Sequence, residues 1–237
     1  MSSLTMNSNN PVLTMDKINN NLVKMEYAVR GPIPTRAVEL IEELKNGAEK
    51  PFDEVIRANI GDCHMMGETP ITFIRQVLSA SLFPKTALAD PKLPNDVKER
   101  IQLLLSSCGG QSVGAYSDSA GVEIIRRHVA EYIEHRDGCP SDWRNIILTS
   151  GASEGVKLMF TLINSASTDN IQTGVMVPIP QYPLYSATCS ELGMYLISYY
   201  LDEENEWALD IAELQRALDE SKSKCKPKAI GNFSSSI

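Results

Sequence analysis

Residues 145–160 constrain the fold more than any other stretch, because they pass from an apolar strand through a turn of small residues into a helix. Residues 146–148 (Ile-Ile-Leu) form a short run rich in β-branched side chains, which is typical of a strand buried on both faces. The apolar residues that follow recur at helical spacing: Val156, Met159, Phe160 and Ile163. The pattern predicts a strand-turn-helix unit of an α/β protein.

The turn of this unit, Gly151-Ala152-Ser153, is a candidate phosphate site. The first N–H groups of a helix have no intrahelical partner, and the helix dipole adds partial positive charge there, so an anion is a natural occupant. Ala152 and Ser153 leave the approach open, and the Ser153 hydroxyl is a further donor. Taken alone, the pattern favours an ordinary turn in which Ser153 caps its own helix.

Residues 151–155 also spell G-x-S-x-G, the nucleophile elbow of serine hydrolases. An α/β-hydrolase needs its histidine after the serine in the chain. The histidines all precede Ser153; they are His64, His128 and His135. A hydrolase would therefore need a histidine from a second chain, and this function is the weaker alternative.

Composition limits the partners and the compartment. The chain has 237 residues, 43% of them hydrophobic and 22% charged, which suits one large globular domain or one domain with part of another. The net charge of −8 argues against nucleic acid and anionic membranes as partners. No apolar run reaches transmembrane length, and residues 1–16 contain no Lys or Arg, so we expect a cytoplasmic protein. The five cysteines include no C-x-x-C pair, which indicates reduced thiols and no metal site.

The first 94 residues indicate a small N-terminal part. Residues 1–15 are rich in Ser, Asn and Met, and we expect them to be disordered. An amphipathic helix follows the Gly-Pro turn at residues 31–34 and ends at Gly47, and another begins near Thr69. A turn-rich connection over residues 84–94 marks the boundary with a larger α/β unit.

Gly61 is a candidate ligand contact. Residues 55–60 are typical of a short strand that stops at Gly61-Asp62. A glycine at a strand end lets the backbone come close to a ligand. A plain turn, with Asp62 bonding its own backbone, explains the pattern equally well.

The Gly/Ser-rich loop over residues 106–116 resembles a nucleotide P-loop only superficially, because Ala115 stands where the phosphate-binding lysine is required. The loop follows a predicted helix over residues 95–105 and leads through Tyr116 into a strong helix over residues 119–136. A tyrosine at such a loop tip is usually a packing or surface residue. It can also carry a phenol to a phosphate.

Tyr182 is a candidate partner for a flat heterocycle. The apolar strand over residues 174–179 breaks at Pro180-Gln181-Tyr182-Pro183, and the two prolines hold Tyr182 in a stiff, extended segment. Open α/β sheets bind ligands at such strand ends, where a tyrosine can offer its ring face. The alternative is a loop tyrosine that fills a gap between helix and sheet.

The rest of the chain alternates between helices and strands. We predict a helix over residues 183–192, a strand over 194–200, a helix over 210–218 and a final strand that begins at 228–230. Such β-α-β-α alternation predicts an α/β fold with a mainly parallel sheet covered by helices.

Six segments of the chain, taken in their order and spacing, resemble the alanine aminotransferases of the fold-type-I pyridoxal-phosphate aminotransferase family. Together they run through nearly all of residues 16–230 and match only the N-terminal half of the family pattern. The segments are VKMEYAVRGPI at 23–33, NIGD at 59–62, GETPITF at 67–73, GAYSDS at 114–119, LTSGASEG at 148–155 and PIPQYPLYS at 178–186.

The resemblance implies roles for individual residues. It places the pyridoxal 5'-phosphate phosphate on Gly151, Ala152 and Ser153, and it stacks Tyr182 on the pyridine ring. Family members are dimers, so it implies that Tyr116 reaches the cofactor of the partner subunit. It places Gly61 near the substrate.

The resemblance also implies a domain order and an activity. Residues 16–93 correspond to the N-terminal arm and part of the small domain, residues 94–230 to the first part of the cofactor-binding large domain, and residues 231–237 to a divergent tail. The implied reaction transfers the amino group of L-alanine to 2-oxoglutarate, giving pyruvate and L-glutamate.

The chain departs from the family pattern after residue 230. The family needs a Schiff-base lysine, an aspartate and a carboxylate-binding arginine, and none of them has a counterpart before Ile237; Lys222 and Lys224 lie on a charged segment that has no match. We therefore expect no unaided activity from this chain. The alternative is a non-catalytic truncated isoform or gene-model fragment that pairs with a full-length subunit or is unstable.

Overall fold

The computed structural model describes residues 14, 16–27, 31–57, 61–165 and 171–231. The described residues form two compact units, each treated by itself below. The sheet unit comprises those within residues 1–60 and 152–237, and the helical unit comprises residues 61–151.

The described helices alternate with three strands in the second half of the chain. The helices are α1 (Asn20–Val23), α2 (Pro32–Lys45), α3 (Thr72–Leu82), α4 (Pro84–Ala89), α5 (Asn95–Ser106), α6 (Glu123–Asp137), α7 (Ala152–Ile163), α8 (Leu184–Glu191) and α9 (Ile211–Ser221). The strands are β1 (Gln172–Ile179), β2 (Tyr195–Tyr200) and β3 (Cys225–Ile230). Short 3₁₀ turns occur at Gly109–Gln111, Trp143–Asn145 and Glu203–Asn205.

The sheet is parallel, with strand order β2-β1-β3. Gly174 of β1 pairs with Tyr195, and the register continues to Ile179 opposite Tyr200. Residues 173–178 of β1 are all buried, as a central parallel strand requires. The parallel sheet predicted from the alternation of elements is therefore confirmed.

Helices cover both faces of the sheet. Successive side chains of β1 point to opposite faces, so each face has its own core cluster. Val175 and Val177 form one core cluster with Phe160 of α7 and Cys189 of α8. On the other face, Met176 packs in a cluster with β2, β3 and Ala217 of α9. This two-sided burial positions the start of α7 and the end of β1 on one rigid scaffold.

The helical unit has its own core between α3 and α5. Its fully buried members are Ala80, Val97, Ile101 and Leu105. The buried guanidinium of Arg126 on α6 donates from Nε to the carbonyl of Ile146 at 2.8 Å and from Nη1 to Asp118 at 3.1 Å. Arg126 thus ties α6 to the segment that precedes Gly151.

The predicted strand over residues 146–148 is wrong. The segment is extended but has no strand partner among the described residues. Its backbone instead bonds Ala120, through the Leu148 N–H, and the Arg126 side chain. A strand exists only when a neighbour completes its hydrogen bonds, and β propensity cannot supply that neighbour.

Three boundaries also differ from the predictions. The connection over residues 84–94 contains α4, because Pro84 occupies the first helical turn, where its missing N–H costs nothing. Helix α6 begins four residues later than predicted, since Gly121 takes a left-handed φ of 103° that no helix admits. Strand β3 begins at Cys225, because its first residues already pair with β1.

The remaining predicted elements are confirmed, with α2, α5, α8, α9, β1 and β2 within a few residues of the expected bounds. Of the predicted strand at 55–60, residues 55–57 have no regular structure and 58–60 lie outside the described residues. The predicted disordered N-terminus, but for Thr14, and the tail from 232 onward also lie outside them. In the described part of the chain, no helix is long and apolar enough to cross a membrane.

Candidate functional site

Gly151 shapes the turn that leads into α7. Its φ of 89° lies in the left-handed region, which glycine adopts without a steric cost. The Gly151 N–H donates to the Thr149 carbonyl at 2.8 Å, and the Thr149 hydroxyl donates to the Gly151 carbonyl at 2.9 Å. No atom lies within 4 Å of the place where a Cβ on Gly151 would be. The turn is therefore fixed by its own hydrogen bonds and leaves the start of α7 open.

Helix α7 presents its first turn to solvent. It begins at Ala152 directly after the glycine, and residues 151–154 are all exposed. The first N–H groups of a helix of this length carry partial positive charge and have no intrahelical acceptor. An anion that approaches this turn meets backbone donors and the Ser153 hydroxyl together.

The structure brings Ser153 and Tyr182 together. The Tyr27 hydroxyl donates to the Tyr182 oxygen at 3.1 Å, and the Ser153 hydroxyl lies close to the same phenol. Both hydroxyls, that of Tyr27 first and that of Ser153 second, lower the pKa of Tyr182 because they favour the phenolate. Two site residues predicted from separate segments thus lie close together.

The ring of Tyr182 is held from one side. It lies just beyond the end of β1 and is followed by Pro183, the N-cap residue of α8. The Tyr185 ring meets it edge-on, with centroids 6.5 Å apart and an interplanar angle of 90°. Since 41% of Tyr182 remains accessible, part of its ring is available to a ligand.

Gln181 adds an unused acceptor at the same strand end. Its side-chain Oε1 is buried and has no hydrogen-bond partner among the described residues. A buried polar atom of this kind is costly unless a ligand or water completes it. The end of β1 therefore carries both an aromatic ring and an acceptor that lacks a donor.

Together these groups suit a flat, phosphate-bearing heterocycle. The helix N-terminus and Ser153 match the acceptor oxygens of a phosphate, and Tyr182 matches an aromatic ring. The residues present therefore fit pyridoxal phosphate at the phosphate and at the ring.

Tyr116 and Gly61 belong to the helical unit, so their predicted places at this site stay predictions. The Tyr116 side chain is fully exposed. Gly61 is exposed too, with no atom within 4 Å of a Cβ position.

Other candidate groups have structural partners. The pKa of the Cys189 thiol is raised to about 12 by burial, so this cysteine stays protonated. Lys222 pairs with Asp219, and the Lys224 ammonium lies 5.8 Å from the Tyr195 ring centroid. Within the described ranges, no cluster of three His, Cys, Asp or Glu side chains could hold a metal.

Sequence reasoning missed Tyr27 as a site residue. No local pattern distinguishes this tyrosine, which follows α1 and lies 155 positions before Tyr182. One feature of the sequence could have indicated Tyr27: it lies in the segment at residues 23–33, one of the six segments that carry the family resemblance.

Comparison with known proteins identifies the family of the chain. Residues 84–230, more than half of the chain, match the family model for aminotransferase class I and II. The chain is 54% identical to alanine aminotransferase 2 of Xenopus laevis over 222 residues, which are 93% of this chain and 41% of that protein. It is 52% identical to alanine aminotransferase 1 of Homo sapiens over 220 residues, 92% of this chain and 44% of that protein. The chain thus spans about two fifths of the length of these relatives.

Solved structures share the fold. An aminotransferase from Escherichia coli aligns with a TM-score of 0.57 and 22% identity, over 93% of this chain and 42% of that chain. The alanine aminotransferase from Pyrococcus furiosus aligns with a TM-score of 0.58 and 21% identity, over 84% of this chain and 40% of that chain. The predicted fold, the α/β fold of the fold-type-I aminotransferase large domain with a mainly parallel sheet, is confirmed.

Proposed function

Because the chain belongs to the class I and II aminotransferase family, we propose that it forms the phosphate-binding and ring-binding part of a pyridoxal-phosphate-dependent alanine:2-oxoglutarate aminotransferase. The observation that carries the proposal is the placement of Ser153, in the exposed first turn of α7, close to the 41% accessible Tyr182 side chain just beyond the end of β1. It joins an anion site to an aromatic ring at the carboxyl end of a parallel strand, where α/β sheets bind ligands.

In this proposal, the chain's own residues bind and orient pyridoxal phosphate. Backbone N–H groups at Ala152 and Ser153, with the Ser153 hydroxyl, hold the phosphate, and the open turn at Gly151 lets it approach. The Tyr182 ring would pack on the heterocycle, while Tyr185 supports Tyr182 from the side. When bound, pyridoxal phosphate supplies the electron sink for amino-group transfer.

The substrates are a proposal that rests on the relatives, whereas the partner and the compartment are proposals that rest on the sequence analysis. Alanine and 2-oxoglutarate follow from the two alanine aminotransferases to which the chain is similar. We propose that Gly61 lies beside the substrate, that Tyr116 reaches the partner subunit's phosphate in a dimer, and that the protein is cytoplasmic.

A titration of the purified 237-residue chain with pyridoxal phosphate, followed by absorbance and tyrosine fluorescence, tests the phosphate site. Ser153→Ala should weaken binding about tenfold, since a hydrogen bond to a charged group contributes about 1.5 kcal/mol. Thr161→Ala is the matched control, because it removes a hydroxyl from the far end of the same helix, where Thr161 bonds the Lys157 carbonyl at 2.9 Å. Equal affinities of the two variants would contradict the phosphate site.

The same titration tests the ring site. Tyr182→Leu should weaken binding about fivefold or more, because an aromatic contact contributes about 1 kcal/mol beyond burial. Tyr195→Leu is the control, since Tyr195 lies at the opposite end of the sheet, beside Gly174. Loss of binding in both variants alike would point to general destabilisation and sink the ring assignment.

The substrate class is tested with two reduced conjugates, phosphopyridoxyl-L-alanine and phosphopyridoxyl-L-aspartate. We expect the chain to bind the alanine conjugate more tightly. A preference for the aspartate conjugate would overturn the alanine assignment and leave the cofactor site intact.

We also propose that residues 1–237 hold the cofactor without a covalent link, because they contain no counterpart of the family's lysine. Borohydride reduction after cofactor addition, followed by peptide mapping, should then label no lysine stoichiometrically, and alanine should not be turned over by this polypeptide alone. One stoichiometrically labelled lysine would show that the chain carries its own Schiff-base residue.

A further inference from the structure

We propose that Tyr27 is a positioning residue that fixes the Tyr182 ring through a phenol-to-phenol hydrogen bond. The inference rests on the proposed function, because it assigns to Tyr27 the task of holding the ring that covers the cofactor. Tyr27 acts through Tyr182 and is not itself a catalytic residue.

The first support is the contact itself. The Tyr27 hydroxyl donates to the Tyr182 oxygen at 3.1 Å, within the usual range for such a bond. Tyr27 is half-buried, so part of its side chain is removed from solvent. The bond holds the tip of the Tyr182 side chain and therefore restricts swinging of the ring about χ1.

The second support is the anchoring of the segment that carries Tyr27. Helix α1 lies four residues before it and is tied to α8, the helix that begins just after Tyr182. The Ser190 hydroxyl donates to the Asn21 carbonyl at 3.2 Å, and the Asn21 amide donates to the Glu191 carbonyl at 3.5 Å. Tyr27 and Tyr182 are therefore both held near α8, and their contact is not an accident of a loose chain end.

The third support concerns Ser153, the second residue whose hydroxyl lies close to the Tyr182 phenol. The same Ser153 hydroxyl is the one proposed to donate to phosphate. A hydroxyl has a single proton to donate, so Ser153 cannot donate to Tyr182 while it donates to phosphate. Tyr27 then remains as the hydrogen-bond donor to Tyr182, beside the edge-on ring of Tyr185.

The pairing is tested without cofactor by ¹³Cζ-tyrosine NMR over an alkaline pH range, with the Tyr182 signal assigned from Tyr182→Phe. Tyr27→Phe keeps the ring and removes only the donor. Because a donated hydrogen bond favours the phenolate, the Tyr182 signal should titrate at higher pH in Tyr27→Phe than in the wild type. Tyr195→Phe removes a hydroxyl from the first residue of β2, at the end of the sheet far from Tyr182. This control should leave the Tyr182 titration unchanged.

The positioning role is tested by a double-mutant cycle on pyridoxal phosphate affinity. Tyr27→Phe should weaken binding about fivefold, the effect of losing one neutral hydrogen bond. In a Tyr182→Phe background, the same substitution should change affinity by less than about twofold, because Tyr27 no longer has a phenol to hold. A purely structural role of Tyr27 predicts the same loss in both backgrounds.

The outcomes separate the two proposals. If the wild type binds pyridoxal phosphate and Tyr27→Phe leaves the Tyr182 titration or the affinity unchanged, the role of Tyr27 is overturned and the proposed function stands. An equal loss in both backgrounds also overturns it. If the wild type does not bind pyridoxal phosphate, the proposed function fails and the positioning role fails with it.

Discussion

At the residue scale, Gly174 shows where the sheet leaves no room for a side chain. A Cβ placed there would lie 2.5 Å from Cys225 Sγ and 2.9 Å from Ile197 Cδ1, closer than real carbon contacts allow. Both neighbours are buried, so neither can move aside without disturbing the core shared by β1, β2 and β3.

We therefore expect Gly174→Ala to lower the free energy of unfolding by about 2 kcal/mol, the usual effect of overpacking a core. Urea denaturation followed by circular dichroism measures the change. Gly61→Ala is the control, because nothing lies within 4 Å of that Cβ position. Equal midpoints of the urea unfolding transition for the two variants would show that the sheet relaxes around the added methyl group.

At the scale of elements, Glu213 joins α9 to the end of β2. Its Oε1 accepts the backbone N–H of Tyr200 at 2.9 Å, and Arg216 donates to both carboxylate oxygens at 2.6 Å. The Arg216 guanidinium, assisted by the Tyr200 N–H, lowers the pKa of Glu213 to about 2. The carboxylate thus stabilises the fold in its charged form.

This shift predicts how stability changes in acid. The pKa of an unfolded glutamate is about 4.3. The contribution of Glu213 to the free energy of unfolding is therefore fully present above that pH, and it is lost as the pH falls through the folded-state pKa of about 2. Between about pH 5 and pH 2, the wild type should lose more unfolding free energy than Glu213→Gln, as measured by urea titrations at each pH.

Glu220→Gln is the matched control for this measurement. It removes a carboxylate that pairs with the same arginine at 2.8 Å, while the Glu213 contact with β2 stays intact. We expect its acid profile to follow that of the wild type. An acid profile of Glu213→Gln that overlays that of the wild type would show that the contact contributes nothing to stability.

At the scale of the whole molecule, the proposed dimer makes a prediction that involves residues of both units. Tyr116 lies in the helical unit and Ser153 in the sheet unit. If Tyr116 serves the partner's site, a mixed dimer of Tyr116→Phe and Ser153→Ala chains contains one site with both native residues. Sedimentation should first show a dimer.

Mixed dimers, purified with two different affinity tags, should then bind pyridoxal phosphate at wild-type affinity in half of their sites. Dimers of either single variant should have no such site, and they serve as controls. Absence of wild-type-affinity sites in the mixed species would place Tyr116 in its own chain's site. Wild-type affinity in Tyr116→Phe dimers would remove Tyr116 from the site altogether.

The sequence by itself determined the features that depend on near neighbours in the chain. Helical spacing in α7 and α9, the buried run of β1 and the prolines around Tyr182 predicted a helix-covered parallel sheet with a tyrosine at a strand end. The small residues at 151–153 predicted an open helix start. These properties follow from side-chain periodicity and turn chemistry, which act over a few residues.

Only the tertiary structure decided which distant groups meet. It placed the Tyr27 hydroxyl on Tyr182, and it left residues 146–148 without a strand partner among the described residues. Hydrogen bonds between remote segments depend on where the chain folds back, and local propensity carries no information about that return. The chemical identities of the candidate site were therefore readable in the sequence, and the contacts that hold Tyr182 in place were not.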